Sequence, residues 1–230
     1  MNEETGSATV LLVGVLLIRL SLTNLHVRYV QESMGIWLLA AGIVLAAVGA
    51  AGVVRSLLRP HETLAVADHH EGHTERIGWL LLAPVVALLM VSPPPLGSYG
   101  VDRSTVVIDD SGTTFASLPP GETVPMTLLE FDQRAADHDG ASFGTTPVQL
   151  TGFVARTQDG AGFVIARYQI ACCAADAVAA VARIVGTSGD APARDSWVSV
   201  TGTYRGLVDG VPELRATSLQ VIPAPVDPYE

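Results

Sequence analysis

A chain of 230 residues with a mean hydropathy of +0.39 and only 16% charged residues is too apolar to be one ordinary soluble domain, so part of it is expected to lie in lipid. The formal net charge is −10, and 16 of the 23 acidic but only 8 of the 13 basic residues follow position 100, which places −8 of that charge in the second part of the chain. Such an acidic surface argues against nucleic acid, whose phosphates need basic residues, and two cysteines that are adjacent, Cys172 and Cys173, exclude a disulfide-stapled fold.

Three apolar runs come first. Residues 8–22 are apolar apart from Arg19 and small hydroxyls, residues 35–54 carry no charge, and residues 77–91 lie between Arg76 and the block Pro93, Pro94, Pro95. A helix crosses the hydrocarbon layer with about 20 apolar residues, and about 17 is the lower limit. The middle run meets that length, and the outer two need their flanks. The first run is expected to remain a span, because Asn2, Glu3 and Glu4 stand where a cleaved signal needs basic residues. Residues 1–92 therefore read as a membrane α-helical region of three spans, in a multi-pass protein of the cell membrane with the lipid bilayer around it. In the second span Gly42, Gly49 and Gly52, with Ala46, Ala50 and Ala51, place small residues at helical spacing and permit close helix contact. Arg19 stands near a span end, from which it reaches the interface. Arg55 and Arg59 sit tightly against the end of the second span, so the following loop is expected on the cytoplasmic side and the C-terminal domain outside.

That loop, residues 55–76, holds His61, His69, His70 and His73 beside Asp68, Glu71 and Glu75. Neutral imidazole binds zinc, copper or nickel, and carboxylates complete such sites. His69 and His73 would share a face if the segment were helical. The competing reading is a solvated linker in which histidine merely tolerates exposure.

Residues 93–104 form a Pro/Gly-rich linker, and residues 105–230 read as a soluble β-rich domain. A short β-prone run at 105–108 is followed by a helix within TVPMTLLEFDQRAAD, capped by Thr123, with Met126, Leu128 and Leu129 inward and Glu130 and Asp132 toward water. Four strands are expected at 146–156, 162–171, 196–205 and 211–222, with turns at Asp159-Gly160 and Asp209-Gly210. Pro212 confines the last strand to an edge or a late start. A helical stretch at 176–184 completes the pattern, which suggests a small, mainly-β, OB-like partly open barrel with one or two short helices.

The densest cluster of chemically capable residues is RYQIACCAADA, with Arg167, Tyr168, Cys172, Cys173 and Asp176. Neighbouring cysteines in a regular strand point to opposite faces, but at a strand end both thiols can turn to one side. A helix starting at Ala174 or Ala175 would favour thiolates through its N-terminal dipole. Thiolates select Cu(I), Zn(II) and other thiophilic ions, a close thiol pair also suits arsenite-like metalloids, and Asp176 is either a third ligand or a cap. Two thiols do not make a closed zinc site, which takes four ligands. The competing reading is that at least one cysteine only packs.

The exit sequence GWLLLAPVVALLMVSPPPLGS, the block GFVIARYQIACCAADA, the strand WVSVTGTYRG and the ending PAPVDPY, together with three short spans and a histidine loop, resemble the YcgQ-like family of two-component permease subunits. The resemblance covers nearly the whole chain and implies a larger multi-span permease as partner. It further implies an accessory, non-enzymatic subunit with a C-terminal domain of unknown function, handling a metal or metalloid ion. The metal candidates are Cys172, Cys173 and Asp176 with His61, His69, His70 and His73. The alternative is a structural or assembly membrane protein whose β-domain binds a protein partner. An enzyme has little support, since the chain holds no C-x-x-C, G-x-S-x-G or H-E-x-x-H.

Overall fold

The computed structural model describes residues 3–58, 94–103, 114–156, 163–187 and 191–230. The third apolar run, His61, His69, His70 and His73, the run at 105–108 and the Asp159-Gly160 turn lie outside the described residues. The chain divides into two compact units, Met1–Pro94 and Pro95–Glu230.

In the first unit α1 (Glu3–Leu22) and α2 (Gly35–Leu58) pack along each other. Glycines set how closely they approach. A methyl group at Gly49 would stand 2.5 Å from Leu11 N, one at Gly14 would stand 2.4 Å from Ala46 N, and one at Gly52 would meet Ser7. Because Leu11 faces Gly49 while Gly14 faces Ala46, the two helices run antiparallel. The small-residue stripe of α2 is therefore the contact face with α1, as its spacing indicates. The opposite face leaves Ile36, Trp37, Ile43, Val44 and Val48 exposed. The helical segment Glu32–Leu58, 27 residues, is long and apolar enough to cross a membrane, whereas the apolar part of α1, Gly6–Leu22, is shorter. Among the described residues one helix thus passes the length test.

The second unit is a five-stranded barrel. β1 (Val124–Pro125) is a short parallel addition to β2 (Val148–Arg156). β3 (Phe163–Gln169) and β4 (Val178–Val185) continue from β2 as an antiparallel meander. β5 (Trp197–Val208) and β6 (Val211–Ile222) form a hairpin, with β6 parallel to β4 and β5 antiparallel to β2. The pairing of β2 with β5 closes the ring, so the expected partly open barrel is closed. Closure removes the edges that an open sheet would expose. Asp209 (φ 53°) and Gly210 (φ 76°) make the two-residue left-handed turn that fits the twist of a hairpin. Pro212 is buried near the start of β6, one residue before the pairing with β4 begins at Glu213, so its missing N–H costs no bond to that strand.

The stretch at 176–184 is not helical. It is mostly β4, in which Ala180, Ala182 and Ile184 point into the barrel and Ala179 and Val181 lie under an outer layer. Alanine's helix preference yields because both faces of this strand are covered.

The barrel end is plugged by α3 (Leu128–Ala136), through Leu128, Phe131 and Ala135, with Phe143 against Phe131 at 5.1 Å between ring centroids. Its cap is Thr127 rather than Thr123: Thr127 Oγ1 accepts the Glu130 N–H at 3.0 Å. Asp132, expected in water, is buried on the same face as Phe131, and burial pushes its carboxyl up to about 7. Leu129 and Met126 are only partly buried.

Candidate functional site

Strand β3 ends at Gln169 and β4 begins at Val178, and the turn between them carries both cysteines. Its shape is set by Asp176. Oδ1 accepts the Ala171 N–H at 2.8 Å, and Oδ2 accepts the N–H groups of Cys172 at 2.9 Å and Cys173 at 3.2 Å. In return the Asp176 N–H donates to the Cys173 carbonyl at 3.0 Å and to the Cys173 sulfur. Cys172 is exposed and Cys173 half-buried, and both are free thiols. Ligand atoms of Cys172, Cys173 and Asp176 all lie within 4.8 Å of one another. The sequence-predicted trio is therefore one cluster on an accessible turn.

The electrostatics differ from the expectation. Residues Ala174–Asp176 form a single 3-10 turn, too short to supply the dipole of a helix. The neighbouring Cys172 thiol and the bonds from the three amides hold the Asp176 carboxyl down at about 2. That fixed anion, with Cys173 beside it, pushes the Cys172 thiol up to about 12. The carboxylate beside it thus disfavours the Cys172 thiolate, where a helix dipole would favour it.

Arg167 and Tyr168, from the same sequence block, do a different job. The Tyr168 hydroxyl donates to the Gly97 carbonyl at 2.9 Å, which holds the 3-10 segment Ser98–Arg103 in place. Arg167 Nη2 donates to the carbonyls of Asp227 at 3.0 Å and Tyr229 at 2.9 Å, and the guanidinium lies over the Trp197 ring at 5.6 Å. Val101 and Tyr229 thereby join Phe153, Ala166, Tyr168 and Val181 in a second apolar layer outside β2, β3 and β4. In OB-type barrels this outer region of the second and third barrel strands is a common place for oligonucleotides and oligosaccharides. Here the chain itself covers it.

Two features were not apparent from the sequence. His138, Asp139 and Gly140 all have positive φ (49°, 56° and 74°), and His138 Nδ1 pairs with Asp137. Gly140 is required there, since a methyl group would stand 2.2 Å from the Tyr204 ring. The string DHDG is the turn-type signal that could have marked it. The second feature is the tail, whose last residue, Glu230, is buried against α3.

Residues 135–230 match the DUF1980 C-terminal domain, a span that runs from the last turn of α3 through the barrel and cysteine turn to the tail. No curated protein matches the chain.

Proposed function

We propose that this chain is a membrane-anchored, non-catalytic accessory subunit of a two-component permease, and that its barrel presents the Cys172–Cys173 pair to a thiophilic ion. One observation carries the reading: two thiols sit side by side on an accessible turn, in reach of each other and of Asp176. Exposure sets this apart from the alternative of a structural protein whose cysteines only pack, because a packing cysteine is buried.

Supporting it are the apolar segment Glu32–Leu58, which suits a membrane anchor, the match of residues 135–230 to the DUF1980 C-terminal domain, and the resemblance to YcgQ-like subunits. Its multi-span permease partner is the pore-forming component, since the three spans read from the sequence are too few for a stand-alone transporter. The placement of Arg55 and Arg59 tight against the end of the second span favours an extracytoplasmic barrel. On sequence grounds, His61, His69, His70 and His73 add a weak capture segment for the same ion.

The test uses the full chain in detergent with its thiols reduced. Zn(II), Cu(I) and arsenite are titrated against wild type and a Cys172→Ser/Cys173→Ser variant. Binding of at least one ion by wild type alone is expected, and equal binding by both proteins, or none, removes the role. Photo-crosslinking from Val48, on the exposed face of α2, is expected to recover a multi-span membrane protein.

A further inference from the structure

The donor set of the cysteine turn is narrower than its composition. A carboxylate offers about four lone-pair positions. Three of those of Asp176 are engaged by the N–H groups of Ala171, Cys172 and Cys173, across both oxygens. Turning this carboxylate toward an ion would strip three amides of their acceptor at once. Two sulfurs are left for a ligand. Among the described residues no further His, Cys, Asp or Glu joins the cluster to complete a four-donor cage.

Resting on the reading that the pair is a ligand site, we infer that its ligand is a trivalent metalloid hydroxide of the arsenous or antimonous acid class, held by the two sulfurs alone. Zinc takes four ligands, so it would draw half its shell from water. Trivalent arsenic is complete with three bonds and a lone pair, so two sulfurs and one retained hydroxyl saturate it.

The step balances without a redox partner. Each thiol gives its proton to a departing hydroxide, two As–O bonds break, two As–S bonds form, and two waters leave. Arsenic stays trivalent and the adduct is neutral. Neutrality matters on this turn, because the Asp176 carboxylate stands within 4.8 Å of both sulfurs. A Cu(I) ion held by two thiolates would instead leave a net negative charge beside that anion, at a cost in Coulomb energy. The same three amide bonds fix the Cys172–Cys173 peptide, so closing a strained disulfide between neighbours would have to twist it out of register with Asp176. The pair is thereby kept as a dithiol.

The test takes the full chain in detergent, reduced, with arsenous acid, phenylarsine oxide, Zn(II) and Cu(I) as probes. Phenylarsine oxide carries a phenyl group at its third position, so a third protein donor has no place to bind. Expected are one arsenic per chain from either arsenical, a mass gain of one arsenous acid less two waters with the first, loss of both free thiols, and at least tenfold weaker retention of zinc. Each signal disappears in Cys172→Ser and in Cys173→Ser. An arsenous acid adduct that survives in either single variant, or one that forms while phenylarsine oxide is excluded, overturns the two-sulfur assignment. Zinc or Cu(I) binding without an arsenic adduct overturns the metalloid assignment and leaves the thiophilic-ion site standing. Failure of all the probes to bind removes both.

Discussion

The Glu230 side chain accepts the Leu128 N–H at 3.1 Å, across 102 positions of sequence. Its other oxygen takes the Leu129 N–H at 3.3 Å, so the tail supplies α3 with the anion that the first turn of a helix favours. Arg167 stands 3.6 Å from the same carboxylate and binds the preceding tail carbonyls. One residue pair thus ties the barrel end, the plug helix and the outer layer together. Replacing Glu230 by Ala leaves two amides without an acceptor and is expected to cost about 1–3 kcal/mol. Glu230→Gln retains an acceptor and is expected to cost less.

Burial raises the Glu230 carboxyl above its ordinary range, although the Leu128 and Leu129 amides and Arg167 pull the other way. A group whose folded pKa is raised stabilises the fold below its unfolded pKa and loses that contribution as pH rises through the folded value. Wild type is therefore expected to gain stability relative to Glu230→Gln as pH falls from neutral toward the ordinary glutamate range. Thermal melting followed by near-UV circular dichroism checks both effects; a difference that stays flat with pH would refute the second.

Asp176 is expected to control the reactivity of Cys172. In a Cys173→Ser background, Asp176→Asn removes the anion that raises the Cys172 thiol to about 12. Since the thiolate is the nucleophile, alkylation by iodoacetamide near pH 8 should accelerate at least tenfold. Peptide mass spectrometry reads the rate. An unchanged rate would mean that the carboxylate does not govern the thiol.

Four strands and the Asp209-Gly210 turn could be read from local pattern: VQLTGFVAR and WVSVTGTYRG alternate, and FVIARYQ opens with an apolar run because both of its faces are covered. β4 could not. Its Ala179, Ala180 and Ala182 are small on both faces, and only the barrel interior and the outer layer, both built from distant segments, explain them. The sequence puts both cysteines at the end of a strand, but not the bonding of the turn that carries them. The sequence places Asp176 near the thiols without revealing that it folds back onto three preceding amides. Likewise nothing in PAPVDPY itself shows that Arg167, some sixty residues earlier, grips it.

Asp132 is expected to weaken the protein above neutral pH. Its carboxyl is buried beside the plug contacts and titrates at about 7, so charging it in place works against folding. Because the folded pKa is raised, the contribution present below about pH 4 is lost as pH climbs through 7. Asp132→Asn removes the charge while keeping the shape. It should raise the melting temperature at pH 8, a gain on the order of 1–3 kcal/mol, and the advantage should shrink as pH falls and vanish only below about pH 4. A gain independent of pH would point to packing rather than ionisation.

Gly49 is expected to hold the helical hairpin of the first unit together. With 2.5 Å between a methyl group there and Leu11 N, no side chain fits unless α1 moves away from α2. Backbone atoms cannot yield as a flexible side chain can, so Gly49→Leu should separate the helices and cost about 1–3 kcal/mol. Ala47, on the exposed side of α2, provides the contrast: Ala47→Leu adds the same bulk without touching α1 and should be neutral. Unfolding by SDS from mild detergent micelles measures both variants. Equal midpoints for the two would mean that small residues along α2 do not set the contact, and the stripe of Gly42, Gly49 and Gly52 would then need another explanation. A lower midpoint for Gly49→Leu alone would identify close backbone approach as what joins α1 to α2, since lipid offers apolar side chains no hydrophobic gain from leaving it.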